Sequence, residues 1–183
     1  RPLDEFQSIF MLNVAEIPKD AVAPLEAYVA AGGGLAWYLG DTVKASFYNS
    51  SLFKDGGKGL FPVELANAPR TLAPDDSVNP GSDLVLGNKP MFRVFEGQEN
   101  PYLDVARVYE YFPVSDDWEL DDQKREDDVE TVAFLRNRHP LMFMHRLGAG
   151  RIFTCLTSCG PSWNNWCYYA SFVVLELELQ KSI

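Results

Sequence analysis

The sequence predicts an α/β domain with a mostly parallel sheet, helices on both faces of that sheet and an antiparallel portion near the C-terminus. Segments typical of strand, helix, strand and helix alternate within residues 6–53, the pattern of a parallel sheet with helical crossovers. Between Thr131 and Thr157, strand-like segments are separated only by short turns. A parallel crossover needs roughly a dozen residues, so these later strands are predicted to be antiparallel neighbours.

Residues 6–53 supply the parallel unit. Phe6–Val14 is a short apolar run rich in strand-forming residues. Asp20 suits the N-cap of the helix that follows, and three consecutive glycines end that helix. Leu35–Leu39 is a continuous apolar run of the kind found in buried strands. After a turn at Asp41, a second helical stretch is expected to run toward Phe53.

The remaining chain has a less regular pattern. Lys54–Pro90 is rich in glycine and proline, which predicts a long, mostly irregular excursion with one short hairpin or helical turn. Further strands and a closing helix are then expected from composition and periodicity. The predicted strands are Val105–Val114, Thr131–Arg136, Leu141–Arg146 and Arg151–Thr157, and the predicted helix is Trp166–Gln180.

Length and charge limit the organisation and the partners. A single domain over residues 1–183 is expected, and the chain is interpreted as an excerpt of a longer protein because it opens without Met. The net charge is −10, and nine acidic residues against two basic ones lie between Ser115 and Glu130. This 115–130 segment is predicted to be a flexible acidic insertion. Such a charge disfavours nucleic acid and an anionic membrane surface as partners.

Neither a metal site nor a cofactor is predicted. Cys155, Cys159 and Cys167 have a C-x3-C-x7-C spacing that matches no usual zinc pattern, although His139 and His145 lie close in sequence. Buried, inert thiols are the simpler interpretation. The acidic segment contains no glycine and lacks the D-x-D-x-D-G loop of calcium sites.

Candidate binding residues come from the predicted ends of the strands. In open α/β sheets, ligands bind outside the carboxyl ends of the strands. Three such ends are expected here, at Asn13, at Asp41 and at Thr157–Cys159, and Tyr38 and Asn49 are added to the same rim as candidate binding residues. The alternative is that Asn13 and Asp41 only satisfy backbone amides in turns.

Two further motifs invite a functional interpretation. If Ala36–Gly40 were a nucleophile elbow, Tyr38 would stand at the nucleophile position, but tyrosine is a poor acyl-transfer nucleophile unless its pKa is strongly lowered. In the Gly160–Trp166 loop, aromatic rings beside amides could form a sugar-binding platform. The alternative is a helix start whose tryptophans cover the sheet edge. The loop's candidate residues are Trp163, Asn164, Asn165 and Trp166.

Several short motifs follow one another along the chain in a characteristic order. They are Asn13-Val14, Leu25-Glu26-x-Tyr28-Val29, Gly32-Gly33-Gly34-Leu35, Leu39-Gly40-Asp41, Phe47-Tyr48-Asn49, Gly59-Leu60-Phe61-Pro62, Phe92-Arg93-Val94-Phe95, Gly148-x-Gly150-Arg151-Ile152-Phe153 and Trp163-Asn164-Asn165-Trp166. Their order resembles the class I glutamine amidotransferase-like domains, which are related to the trehalose-utilisation-type domains. More narrowly, it resembles those of large membrane-anchored proteins in planctomycete-type bacteria. The resemblance covers most of the chain except the acidic segment.

This resemblance implies a flavodoxin-like sheet in a soluble domain of a membrane-anchored protein, expected on the extracytoplasmic side of the inner membrane. Membrane contact would then come only through segments outside this chain. Family domains begin with one more strand and helix before the segment that matches Phe6, and this chain lacks that unit.

The catalytic motifs of the family are not matched. Class I amidotransferases have G-x-C-x-G where this chain has Ala36–Gly40, and a His-x-Glu where it has Thr157–Cys159. A non-catalytic binding or scaffolding domain is therefore expected, with a protein or a small polar ligand as its partner. The alternative is a hydrolase or transferase that uses Cys159 as a non-standard nucleophile beside His139 or His145.

Overall fold

The computed structural model describes residues 2–78, 80–96, 101–115 and 129–183, and the strands lie in two sheets. A six-stranded sheet has the order β1-β2-β8-β7-β6-β4, and β3 pairs with β5 in a separate two-stranded sheet. The strands are β1 (Ser8–Leu12), β2 (Gly34–Tyr38), β3 (Arg70–Thr71), β4 (Leu84–Leu86), β5 (Glu110–Tyr111), β6 (Val129–Leu135), β7 (Pro140–Leu147) and β8 (Gly150–Cys155).

Two longer helices and several short turns of helix accompany the strands. The α-helices are α1 (Lys19–Ala30), α2 (Ala45–Phe47), α3 (Pro101–Asp104) and α4 (Ala170–Ser182). The 3-10 turns are Leu3–Glu5, Pro90–Phe95 and Trp166–Tyr168, and a π-helical turn covers Tyr48–Leu52.

The α/β class is confirmed, and the sheet is mixed. β1 pairs with β2 and β2 pairs with β8 in parallel, which gives the strand–helix–strand unit predicted from residues 6–53. β8, β7, β6 and β4 follow as antiparallel neighbours, so the antiparallel portion predicted near the C-terminus is present. The parallel part is therefore confined to three strands.

Several predicted boundaries are corrected. The first helix begins at Lys19 with Pro18 at its N-cap, so Asp20 lies in the first turn instead of capping it. The expected helix toward Phe53 is only a short α-helical turn followed by the π-helical turn. The closing helix begins at Ala170, after the separate Trp166–Tyr168 turn. The predicted irregular excursion contains β3 and β4.

The α1 helix packs through the apolar positions that its periodicity indicated. Val22, Leu25, Tyr28 and Val29 are buried. Burying one such aliphatic side chain contributes about 1.5–3 kcal/mol. The Tyr28 hydroxyl also donates to the carbonyl oxygens of Phe6 and Gly34, at 3.2 and 3.3 Å. These two bonds tie the helix to the entry of β1 and of β2.

Neighbouring side chains of the fully buried β2 strand contact different parts of the fold, because successive residues of a strand point to opposite faces. Trp37 donates from its indole nitrogen to the carbonyl of Leu60 at 2.9 Å and packs edge-on against Tyr48. Tyr38 packs against Phe153 of β8 and reaches Glu176 of α4. Strand β2 thus connects the excursion on one side of the sheet with the last helix on the other.

Residues 116–128, most of the predicted acidic insertion, lie outside the described residues. Its flexible character stays a prediction. Within the described part of the chain, no helix has both the length and the hydropathy that a membrane crossing requires.

Candidate functional site

The carboxyl ends of β1 and β2 are joined by a small hydrogen-bonded cluster. Asn13 follows β1 in the left-handed region, with φ of 51°. Its amide nitrogen donates to Asp41 Oδ1 at 2.7 Å, and its Oδ1 accepts from the backbone nitrogen of Thr42 at 3.0 Å. Gly40 makes this approach possible, since a Cβ there would lie 2.4 Å from Asn13 Oδ1. The structure brings Asn13 and Asp41 together at the predicted rim, and both are engaged with each other.

Tyr38 occupies the position that the elbow comparison assigned to a nucleophile. The side chain is buried, and its hydroxyl donates to Glu176 Oε1. Burial raises the pKa of this phenol well above its ordinary value, and the neighbouring Glu176 carboxylate raises it further. The hydroxyl is therefore neutral and occupied as a donor at neutral pH.

Glu176 is a member of this site that the sequence did not single out. Burial raises the pKa of its carboxyl group, while the hydrogen bond from Tyr38 lowers it. The sequence feature that could have identified Glu176 is an acidic residue within the apolar run of the last helix. In α4, Leu175 and Leu179 are buried on either side of it along the chain. A half-buried carboxyl between buried leucines needs a partner, and Tyr38 is that partner.

All three cysteines are free thiols. Cys155 ends β8 and is buried, which raises the pKa of its thiol to about 12. Cys159 is half-buried, and burial together with the charges of Glu176 and Cys167 raises its thiol pKa to about 11. A reactive cysteine needs a lowered pKa, because the thiolate is the nucleophile. Each of the causes that act on Cys159 instead raises its thiol pKa.

The two histidines have different positions relative to Cys159. His145 pairs with Ile152, near the start of β8, and its Nε2 lies 2.9 Å from the carbonyl oxygen of Gly59. Since a strand rises about 3.3 Å per residue, this places His145 at the end of β8 away from Cys159. His139 lies in the turn between β6 and β7, and its ring packs 5.7 Å from that of Tyr111. Only His139 is near the edge of the sheet where β8 ends.

Asn49 holds two segments of the chain together. Its amide nitrogen donates to the carbonyl of Leu65, and its Oδ1 accepts from the Leu65 backbone nitrogen, both at 2.8 Å. This reciprocal pair uses both ends of the side-chain amide. The residue therefore fixes the excursion to the π-helical turn.

The Gly160–Trp166 loop is folded into the protein. Trp163 and Trp166 are 3% and 4% exposed. Asn164 donates to the carbonyl of Ser158 at 2.6 Å and accepts from the backbone of Trp166 at 3.0 Å. Asn165 accepts from the backbone nitrogen of Arg107 at 2.6 Å. The rings lie in the interior, as the helix-start interpretation expects, and stacking on a sugar would require their exposure.

Across residues 2–78, 80–96, 101–115 and 129–183, no group of three His, Cys, Asp or Glu side chains is placed to hold a metal ion.

Comparison with known proteins supports the fold. No protein-family model and no curated protein matches the sequence. Among solved structures, a cytoplasmic protein of Salmonella typhimurium LT2 is similar over 98% of this chain and 73% of its own length, with 16% identity and a TM-score of 0.68. A second cytoplasmic protein of Salmonella typhimurium is similar over 99% of this chain and 73% of its own, with 16% identity and a TM-score of 0.65.

A third similarity is to part of a much longer enzyme. A β-galactosidase of Rahnella sp. R3 is similar over 100% of this chain but only 23% of its own length, with 12% identity and a TM-score of 0.52. Sequence identities this low support a shared fold and nothing further. The chain therefore has an α/β fold that also occurs in bacterial cytoplasmic proteins and as one part of a glycosidase.

Proposed function

We propose that this chain is a non-catalytic, amidotransferase-like domain that binds or scaffolds partners within a membrane-anchored bacterial protein. The observation that carries the proposal is the state of Tyr38. It stands at the elbow position, and its buried hydroxyl donates a hydrogen bond to Glu176. The proposal includes a flavodoxin-like sheet covered by helices on both faces.

The chemistry of glutamine hydrolysis supports this interpretation. The class I route needs a thiolate at the elbow, a base that activates it and donors for the developing oxyanion. Tyr38 supplies no thiol, and the raised pKa of its phenol keeps the hydroxyl protonated. Where the class I enzymes have His-x-Glu, this chain has Thr157, Ser158 and Cys159, and the Thr157 hydroxyl donates to the carbonyl of Glu110 at 2.8 Å.

The enzyme alternative depends on Cys159. It is half-buried beside Glu176, so a substrate could reach it only partly. Its thiol pKa of about 11 leaves a very small thiolate fraction at neutral pH. The alternative would need a substrate that lowers this pKa on binding.

The exposed residues at the carboxyl ends of β1 and β2 are a better surface for a partner than the buried tryptophan loop. Asp41 and Thr42 are exposed and lie beside Asn13 at the ends of β1 and β2. Trp163 is buried, so replacing it would disturb the fold before it tested binding. Substitution of Asp41 is therefore the informative change at this edge.

The test of the non-catalytic proposal is an ammonia-release assay on the purified chain with glutamine. We expect no release above that of the buffer. Cys159→Ala is compared with Cys167→Ala, a matched change at the other half-buried thiol. Release that persists in Cys167→Ala and disappears in Cys159→Ala would contradict the proposal. Circular dichroism of each variant checks that the fold is retained.

Membrane anchoring and the extracytoplasmic side are tested on the full-length protein in its own cell. We expect the protein in the membrane fraction, with this domain cleaved by a protease added to spheroplasts. Recovery in the soluble fraction, or protection from the protease until lysis, would contradict the respective part of the proposal.

A further inference from the structure

A cavity of about 540 Å³ lies on the antiparallel half of the sheet, away from the carboxyl-end rim. Its walls come from β6, β7 and β8, from the start of the Pro90–Phe95 turn and from the end of α4. Ligand pockets in proteins commonly have volumes of about 300–1,000 Å³. The size therefore suits a small organic molecule.

The wall of this cavity is positively charged in a strongly acidic protein. Lys89, Arg146 and Arg151 line it together with a single carboxylate, that of Glu130. Three cations and one anion leave a formal charge of +2, whereas the whole chain carries −10. Lys89 and Glu130 form an ion pair, so the two arginines supply the uncompensated charge.

The two arginines face one another across neighbouring strands. Arg146 of β7 and Arg151 of β8 are direct partners in the antiparallel register. Their register follows from the two-residue turn between Leu147 and Gly150, in which Gly148 has a φ of 62°. Directly opposed like charges destabilise a sheet, because their Cβ atoms lie about 4.5–5.5 Å apart. An anion bound between the guanidinium groups would remove this repulsion.

Of these two arginines, only Arg151 already uses its guanidinium group in a hydrogen bond. Arg151 donates from Nη1 to the carbonyl oxygen of Ser182, in the last turn of α4, at 2.8 Å. Within the part of the chain that the structure describes, the guanidinium group of Arg146 makes no hydrogen bond and no ion pair, and the side chain is exposed. Guanidinium groups bind phosphate oxygens through two parallel hydrogen bonds. Arg146 is thus free to bind an anion in this way.

Most of the remaining lining is apolar, apart from His145 and Ser182. Pro90, Met91, Val132 and Met144 contribute to the walls. His145 belongs to the opposite face, since its ring reaches the Gly59 carbonyl. A ligand that matches this cavity has a compact double negative charge at one end and a small apolar group at the other.

We propose that this cavity is a binding site for a small organic phosphate monoester, with Arg146 and Arg151 as the phosphate-binding residues. The proposal rests on the proposed function as a binding domain and names a ligand class for it. The phosphate oxygens accept from the two guanidinium groups, while Lys89 stays paired with Glu130. The apolar side chains contact the organic group.

Isothermal titration with phenyl phosphate tests the site. The wild-type chain should bind the probe, and Arg146→Gln should weaken binding at least tenfold. Arg138→Gln is the matched control, because Arg138 is an exposed arginine in the turn at the other end of β7. Binding should be unchanged in that variant. Absence of binding to the wild type, or equal loss in both variants, would overturn the proposal.

Two further arms define the ligand class. Benzoate carries a single charge on a similar ring and should bind more weakly than phenyl phosphate, so equal binding would overturn the assignment to phosphate. Phosphatidic acid vesicles should not sediment the chain. Sedimentation that Arg146→Gln abolishes would overturn the assignment to a free ligand in favour of a lipid headgroup.

A stability measurement separates recognition from a structural role. In buffer free of multivalent anions, Arg146→Gln should be at least as stable as the wild type, because it removes the opposed charge. A lower Tm in that buffer would mean that Arg146 supports the fold, and would overturn the proposal. Ammonia release from glutamine would contradict only the non-catalytic function, and lack of phosphate binding would contradict only this site.

Discussion

The hydroxyl of Tyr38 and the carboxyl of Glu176 stabilise each other inside the protein. Tyr38 is buried, and its hydroxyl donates to Glu176 of α4. Burial raises the pKa of both groups, while their hydrogen bond raises the pKa of Tyr38 further and lowers that of Glu176. A residue that occupies a nucleophile position in the elbow comparison is here a part of the core.

Glu176→Gln should change the pH dependence of stability. The pKa of Glu176 is raised in the folded state above the ordinary value of 4.5, so the folded state binds more protons than the unfolded state just above that pH. The contribution of Glu176 to the free energy of unfolding therefore falls as pH rises through this window. Glutamine does not titrate and can still accept from Tyr38, so the variant should lose less stability toward neutral pH.

Urea unfolding at a series of pH values measures this difference. Glu178→Gln is the control on the same helix, because it removes only the surface ion pair with Lys181. A wild-type profile that keeps its slope in Glu176→Gln would show that another group causes the pH dependence.

At the scale of elements, local sequence patterns predicted where the strands lie better than which strands pair with one another. The β7–β8 hairpin could be predicted because its strands flank a short glycine turn, and α1 because its apolar residues recur at helical spacing. The pairing of β4 with β6 could not be predicted, because Leu84–Leu86 is a three-residue strand within a glycine- and proline-rich region. Its pairing depends on a distant strand.

The candidate site was predicted less fully than the fold. The rim residues Asn13 and Asp41 were located correctly at strand ends, where they hydrogen-bond to each other. Glu176 and the Arg146–Arg151 pair were missed. Their roles arise from contacts between elements, and a helical or strand pattern within one element carries no information on them.

Gly40→Ala should loosen the junction between β1 and β2. A Cβ at this position would lie 2.4 Å from Asn13 Oδ1, and Asn13 cannot move away without losing its bonds to Asp41 and Thr42. We expect a loss of about 1–3 kcal/mol in the free energy of unfolding. Gly160→Ala is the control, since a Cβ there would meet no atom within 4 Å. Equal effects of the two substitutions in chemical denaturation would contradict the steric argument.

At the scale of the whole molecule, the net charge of −10 acts against the compact state. Like charges repel more strongly in the folded protein than in the expanded chain, and salt screens this repulsion. The described ion pairs are mostly on the surface, where such pairs contribute about 0–1 kcal/mol each. Salt should therefore stabilise the fold more by screening the general repulsion than it destabilises the fold by weakening these ion pairs.

Sodium chloride should accordingly raise the thermal stability. Between low salt and physiological ionic strength we expect a Tm increase of roughly 2–4 °C, the equivalent of about 1 kcal/mol for a domain of this size. Differential scanning calorimetry at constant pH measures it. A Tm that falls with sodium chloride would mean that specific ion pairs dominate the electrostatics of the fold.

The order of the strands has a consequence for the folding pathway. β6, β7 and β8 are consecutive in sequence and joined by tight turns, so their hairpins can form with little loss of loop entropy. The contact of β2 with β8 joins Gly34 to Arg151 and closes a loop of most of the chain. Contacts between distant segments slow folding, because the entropy is lost before the contact stabilises the chain. The docking of the N-terminal unit onto β8 is thus the step that should limit the folding rate.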